Sequence, residues 1–211
     1  SKGAHVLSMS FEGPANISIQ TAIINAYNAG MVCVASAGNG GDKTKLYPGA
    51  YDEVIAVASS EPDDTRSPFS TYGWWVDVAA PGSNIISTYN NGGYKSQDGT
   101  SMSCTHVSGA AVMLYSMLGG PRTKAKADKI RTAIQDSAVP VGSYVRYGRV
   151  DLLEAMLLID PQNNPPVITD VDPTSAPNNF DAPIAIHGSG QTPEPLGKGL
   201  GRRFSQRDGG V

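Results

Sequence analysis

No CxxC pair, no run of basic residues and no apolar stretch of membrane length occurs in this sequence. The two cysteines, Cys33 and Cys104, stand 71 positions apart in apolar segments. That spacing excludes a zinc-ribbon pattern, and buried free thiols are expected rather than a disulfide. Sixteen Lys+Arg against 19 Asp+Glu leave a formal charge of −3. Without a basic stripe, neither nucleic acid nor an anionic membrane is indicated as a partner. The longest apolar run, around residues 107–118, is broken by Ser and Gly. It falls short of the ~20 residues a membrane span needs, so no membrane span is expected. The opening SKGAHVLSMS has no apolar core of a signal peptide and passes at once into a strand-like pattern. It reads as the interior of a longer protein.

What is present is a 40% hydrophobic chain with 24 glycines and 15 prolines, enough for a packed core cut by many turns. HVLSMSF, MVCVASA, VIAVASS, WVDVAAPG and NIISTYN read as strands, and the near-continuous apolar character of MVCVASA suits a central parallel strand. ISIQTAIINAYNAG reads as a helix with Asn16 as cap, Gly30 as stop, and Ile19, Ile23, Ala26 and Tyr27 on its inner face. NNGG reads as a hairpin turn. Residues 101–118 are apolar nearly all round and are expected to form a buried helix. A second helix follows with Pro121 in its first turn and Ala127, Ile130, Ala133 and Ile134 inward, and YGRVDLLEAMLLID supplies a last one. Strands alternating with helices imply an α/β layered fold with a mostly parallel sheet. At DPQNNPP the helical periodicity stops, which places a domain end near residue 160. Residues 161–190 hold two short strand patterns around a polar turn, and 191–211 are expected to be a disordered tail.

The stretch GTSMSCTHVSGAA places Ser101 at the start of the apolar helix. A serine hydroxyl is a weak nucleophile that needs a base and a site for the oxyanion it generates. A helix start supplies free N–H groups and the positive end of a dipole, and Gly99 allows a tight turn. Alone, a Gly-Thr-Ser helix start is better explained as a simple cap. It is not the G-x-S-x-G elbow, because Ser103 occupies the second glycine position.

The surrounding residues change that balance. Gly99, Thr100, Ser101, Met102, His106, Val107 and Gly109 resemble the nucleophile motif of subtilisin-like serine peptidases, with Thr105 in place of the usual proline and Ser103 in place of alanine. VASAGNGG resembles the loop carrying that family's oxyanion-hole asparagine, here Asn39, and SMSFEGP resembles its cleft strand. YPGAYDEVIAVAS, FSTYG, VDVAAPG and YGRVDLLEA follow in the family's order, so the resemblance covers about residues 4–158. It implies a three-layer subtilisin-like fold whose N-terminal part is missing here, and a serine endopeptidase acting on polypeptides. Ser101 would attack the scissile carbonyl, and Asn39 with the Ser101 N–H would hold the oxyanion. Ser10, Phe11 and Glu12 would pair with an extended substrate, facing Ser36, Ala37 and Gly38 across the primary pocket. Leu46 would lie near the pocket base and favour apolar residues, while Glu12 would either favour a basic residue or simply be solvated. No cofactor is required. A weak calcium or alkali-ion site is implied through Gly49, Tyr51, Val54 and Asp77. An inhibitory propeptide and a secreted or vesicular location also follow from the resemblance alone. After residue 160, the strand patterns weakly resemble the start of a transcription-factor-immunoglobulin-type module.

The three histidines, His5, His106 and His187, offer no base. His106 stands five residues after Ser101, about 140° around a helix at 100° per residue, and so points away from it. The family's Asp and His motifs should precede residue 1, and Asp98 is expected to shape a turn. The chain alone is therefore expected to lack peptidase activity and to be poorly stable, with an open sheet edge. Two other readings are a non-catalytic peptide-binding relative and a nucleotide-binding domain using GNGG as a phosphate loop.

Overall fold

The computed structural model describes residues 3–160 and two strands beyond them, Val167–Asp172 and Ala185–Ser189. The chain divides into two compact units, Ser1–Asn163 and Asn164–Val211. In the first unit the order is β1 (Val6–Met9), α1 (Ile17–Asn28), β2 (Val32–Ser36), β3 (Val54–Ser60), β4 (Val78–Pro81), β5 (Ile85–Thr88), β6 (Tyr94–Gln97), α2 (Thr100–Leu118), α3 (Lys124–Asp136), β7 (Gly148–Arg149) and α4 (Leu152–Ile159). The second unit holds β8 (Val167–Asp172) paired antiparallel with β9 (Ala185–Ser189). Two strands among the described residues lend no support to the immunoglobulin-type resemblance, and the expected tail at 191–211 lies outside them.

Five strands form one parallel sheet in the order β1-β2-β3-β4-β7. Alternate residues of a strand face opposite sides, and β2 shows what this does. Val32 and Val34 enter a core with Val107, Ala111 and Leu114 of α2, Ile130 and Ile134 of α3, and Ala155 of α4. Cys33 and Ala35 join Met9, Ile23 of α1, Tyr51 and Val54 on the other face. The fold is thus three-layered, helices on both faces of a mostly parallel sheet. Cys33 and Cys104 are buried, free and in the two opposite cores. Burial pushes the Cys33 thiol up to about 11.

Local signals account for most boundaries. The Asn16 side chain accepts from the Ser18 and Ile19 amides and caps α1. Gly30 has φ +86 and its carbonyl accepts from the Tyr115 hydroxyl at 2.5 Å, tying the end of α1 to α2. Hairpin β5–β6 forms as the NNGG turn predicts. Three expectations differ. Pro121 precedes α3, which begins at Lys124 behind a Thr123 cap. Ile19 is 39% exposed, because it sits in the first turn of α1, short of the strands. Helix α2 is not covered all round: Val112 is 54% and Met113 48% exposed. The two-residue strand β7 has no sequence signal of its own and is held by its register with Val78 and Ala79.

Candidate active site

A parallel sheet gathers loops at the carboxyl ends of its strands, the usual place for a site in α/β folds. Here β1 delivers Ser10–Glu12, β2 delivers Ser36–Asn39, and the chain after β6 delivers Gly99 and the N-terminus of α2. Gly99 enters the helix with φ +155, a conformation that disfavours any side chain, and its N–H donates to the Gly82 carbonyl at 2.8 Å. Ser101 is thereby placed in the first turn of α2, half-buried, where backbone N–H groups have no intrahelical acceptor.

Asn39 is oriented by Thr100. Its Oδ1 accepts from the Thr100 amide at 2.9 Å and from the Thr100 hydroxyl at 3.0 Å. Two donors at one end of the amide fix which end is oxygen, so Nδ2 is the end left to donate outward. The same hydroxyl oxygen accepts from the Gly38 amide at 3.3 Å. Thr71 grips the other side of this loop: its amide donates to the Gly38 carbonyl at 2.9 Å, and its hydroxyl accepts from the Gly40 amide at 3.2 Å. Gly38 itself needs φ +110. The loop after β2 is therefore a clamped turn presenting one amide beside the helix start. No helix follows it before β3, which removes the phosphate-loop reading.

The chain after β1 also meets this helix. Ser10 Oγ donates to the Ser101 carbonyl at 3.2 Å, and behind it Ser108 Oγ donates to Ser8 Oγ at 2.9 Å. Ser36 and Ala37 are buried at the end of β2, opposite the exposed Phe11 and Glu12. Leu46 reaches the same slot: its Cδ1 lies 2.5 Å from where a Cβ on Gly38 would stand. Thr71, Thr100 and the Ser10 hydroxyl were not singled out for these tasks from sequence. Their partners lie far along the chain: Thr100 meets Asn39 across 61 positions, and Ser10 meets the Ser101 carbonyl across 91.

His5 and His106 stay outside this arrangement. His106 is exposed and its Nδ1 is 2.9 Å from the Met102 carbonyl, to which it donates. His5 lies edge-on to Tyr115, ring centroids 4.9 Å apart. His187 lies in β9 of the other unit. Asp98 accepts from the Asn84 amide at 2.6 Å and shapes the turn before the helix.

The residues considered for a cation are only partly free to hold one. Asp77 is buried and accepts from the Ala56 amide at 2.8 Å and from Gln135 Nε2 at 2.9 Å. The Arg131 guanidinium lies 3.8 Å from Asp77 Oδ1, the oxygen that accepts from Gln135, and donates to the carbonyls of Asp52 and Val54. The Tyr51 carbonyl accepts from the Val54 amide at 3.0 Å, and Gly49 is buried nearby. A cation here would compete with the Arg131 guanidinium for Val54 and Asp77, so the set does not fit an open oxygen cage. Burial raises the Asp77 carboxyl above its ordinary value, against the opposing effect of the Ala56 amide, Arg131, Gln135 and Arg146. Among the described residues no three His, Cys, Asp or Glu side chains gather as a metal cluster.

Comparison with known proteins follows the same lines. A model described as the subtilase family matches residues 1–181. Thermitase of Thermoactinomyces vulgaris is 44% identical over 159 residues, 74% of this chain and 55% of thermitase. Subtilisin DY of Bacillus licheniformis is 36% identical over 152 residues, 70% of this chain and 54% of that protein. The solved self-cleaved protease domain of PatA superposes with a TM-score of 0.69 at 26% identity, covering 75% of this chain and 63% of that one. The chain spans about half the length of the curated relatives it matches. With a family model matching most of its length and a relative 44% identical over 159 residues, this chain belongs to the subtilase family.

Proposed function

We propose that this chain is the nucleophile-bearing part of a serine endopeptidase. Ser101 Oγ attacks the carbonyl of a scissile peptide bond. The oxyanion forms against Asn39 Nδ2 and the Ser101 N–H, the C–N bond breaks, and the amine leaves with a proton. Water then hydrolyses the ester on Ser101. The substrate lies as an extended strand between Ser10–Glu12 and Ser36–Gly38. The observation that carries this reading is the Thr100 clamp, which leaves the amide end of Asn39 free beside the helix start.

The proton acceptor and its orienting carboxylate belong, on this proposal, to residues upstream of Ser1. Support comes from the three histidines, none of which the described contacts bring to Ser101, and from the share of the relatives' length that the chain spans. The 211 residues alone are therefore inactive. An inhibitory propeptide and export from the cytoplasm form part of the same proposal. Two preparations test it: the 211-residue chain, and the polypeptide as its gene encodes it from its own start codon. The second should react with a fluorophosphonate at Ser101 and cleave peptides; the first should do neither. Rapid labelling of Ser101 in the short chain, or none in the long one, sinks the proposal, the latter in favour of a peptide-binding relative without catalysis.

A further inference from the structure

We propose that Glu12 makes the primary pocket select a basic residue on the acyl side of the scissile bond; this rests on the peptidase reading above. The pocket is the slot between the ends of β1 and β2, and its width is set by Gly38. Glu12 reaches across it. Its Oε2 lies 2.6 Å from where a Cβ on Gly38 would stand, and Leu46 Cδ1 lies 2.5 Å from the same point. A carboxylate and a methyl group thus share the space that glycine leaves open.

Such a slot has an apolar floor and one anionic side. A phenylalanine ring would have to move the carboxylate out of the slot and makes no use of its charge or of the Thr71 hydroxyl, whose Oγ1 lies 3.2 Å from where a Cβ on Gly38 would stand. A lysine or arginine uses both parts: its methylene stem lies on Leu46 and its cationic head meets Glu12. Glu12 has no competing cation among the described residues, where the ion pairs are Lys124–Asp128, Arg131–Asp77 and Arg149–Asp64. The nearby Lys43 and Lys45 lie over Tyr72 and Trp74 instead, at 5.5 and 4.4 Å from the ring centroids. The carboxylate is exposed in the free chain, so its charge is available to an arriving cation.

The test is the ratio of kcat/KM for Ala-Ala-Pro-Arg and Ala-Ala-Pro-Phe p-nitroanilides, measured on the polypeptide as its gene encodes it. The ratio should exceed one, and Glu12→Gln should lower it by about 10- to 100-fold, the scale of a charge-assisted hydrogen bond. Glu12→Asp should recover part of it. A preference for Phe, or a ratio that Glu12→Gln moves by less than about twofold, overturns the inference while leaving the peptidase reading intact. If no peptide is cleaved, the peptidase reading fails by itself. The binding ratio of the two peptide amides, read by calorimetry on the same pair of proteins, then decides the role of Glu12 by the same criteria.

Discussion

Replacing Thr100 by valine should damage both the loop after β2 and catalysis. Thr100 is fully buried, so the near-isosteric change removes one oxygen without opening a cavity. That oxygen does two jobs: it donates to Asn39 Oδ1 at 3.0 Å and accepts from the Gly38 amide at 3.3 Å. The first loss costs about 0.5–1.5 kcal/mol. The second leaves the N–H of buried Gly38 without a partner, at about 1–3 kcal/mol. Together they predict a destabilisation of about 1.5–4.5 kcal/mol, read as a lower urea midpoint at unchanged slope. Asn39 keeps the Thr100 amide as its remaining anchor, so its donor is loosened rather than lost. Losing such a donor outright costs about 10²–10³ in kcat, a value measured on a subtilisin and so a relative's figure. In the polypeptide as its gene encodes it, Thr100→Val should therefore cost about 10-fold to 100-fold in kcat with KM nearly unchanged, and Thr100→Ser should recover most of both effects. A valine variant with the parent's midpoint and kcat would refute the clamp.

Three further outcomes follow from the geometry. A Cβ on Gly82 would overlap Ser103 Oγ and Ser59 Oγ and stand 2.8 Å from the Gly99 carbonyl; Gly82→Ala should destabilise by about 1–3 kcal/mol, and adding Ser103→Ala should restore part of it in the same urea titration. Asp77 is raised by burial, so the native state takes up its proton before the unfolded chain does. The stability of the parent relative to Asp77→Asn should then increase as pH falls from the raised folded value toward the ordinary 3.8, and an opposite slope would contradict it. Arg131→Ala should lower the Tm and make it respond to millimolar calcium, because the Val54 carbonyl and Asp77 lose their guanidinium; the parent should respond less to calcium or to chelator.

The sequence made the layers and the strand ends legible because their causes are local. An apolar run such as VIAVASS, bounded by turns, becomes β3 over Val54–Ser60, and Asn16 caps the helix it precedes. Ser101 and Asn39 are singled out by the family motifs around them, and the structure brings the chain after β2 and the start of α2 together through Thr100. What escaped was whatever depends on partners distant in sequence. The Thr100–Asn39 contact spans 61 positions, and the Arg131–Val54 contact spans 77.

Ser103 shows why such couplings cannot be read from a motif. In the sequence it is a small-for-small departure from alanine. In the fold its hydroxyl is buried, donates to the Pro81 carbonyl at 3.2 Å, and occupies space that exists only because residue 82 lacks a side chain. The departure at one end of α2 is thus tolerated by a glycine 21 positions earlier, whose own carbonyl also receives the Gly99 amide. Packing at Gly82 and the entry of the chain into Ser101 are one structural problem. A substitution that disturbs either should therefore shift stability and the placement of Ser101 together, and the Gly82→Ala, Ser103→Ala pair should show a coupling energy of the order of 0.5–3 kcal/mol rather than simple additivity.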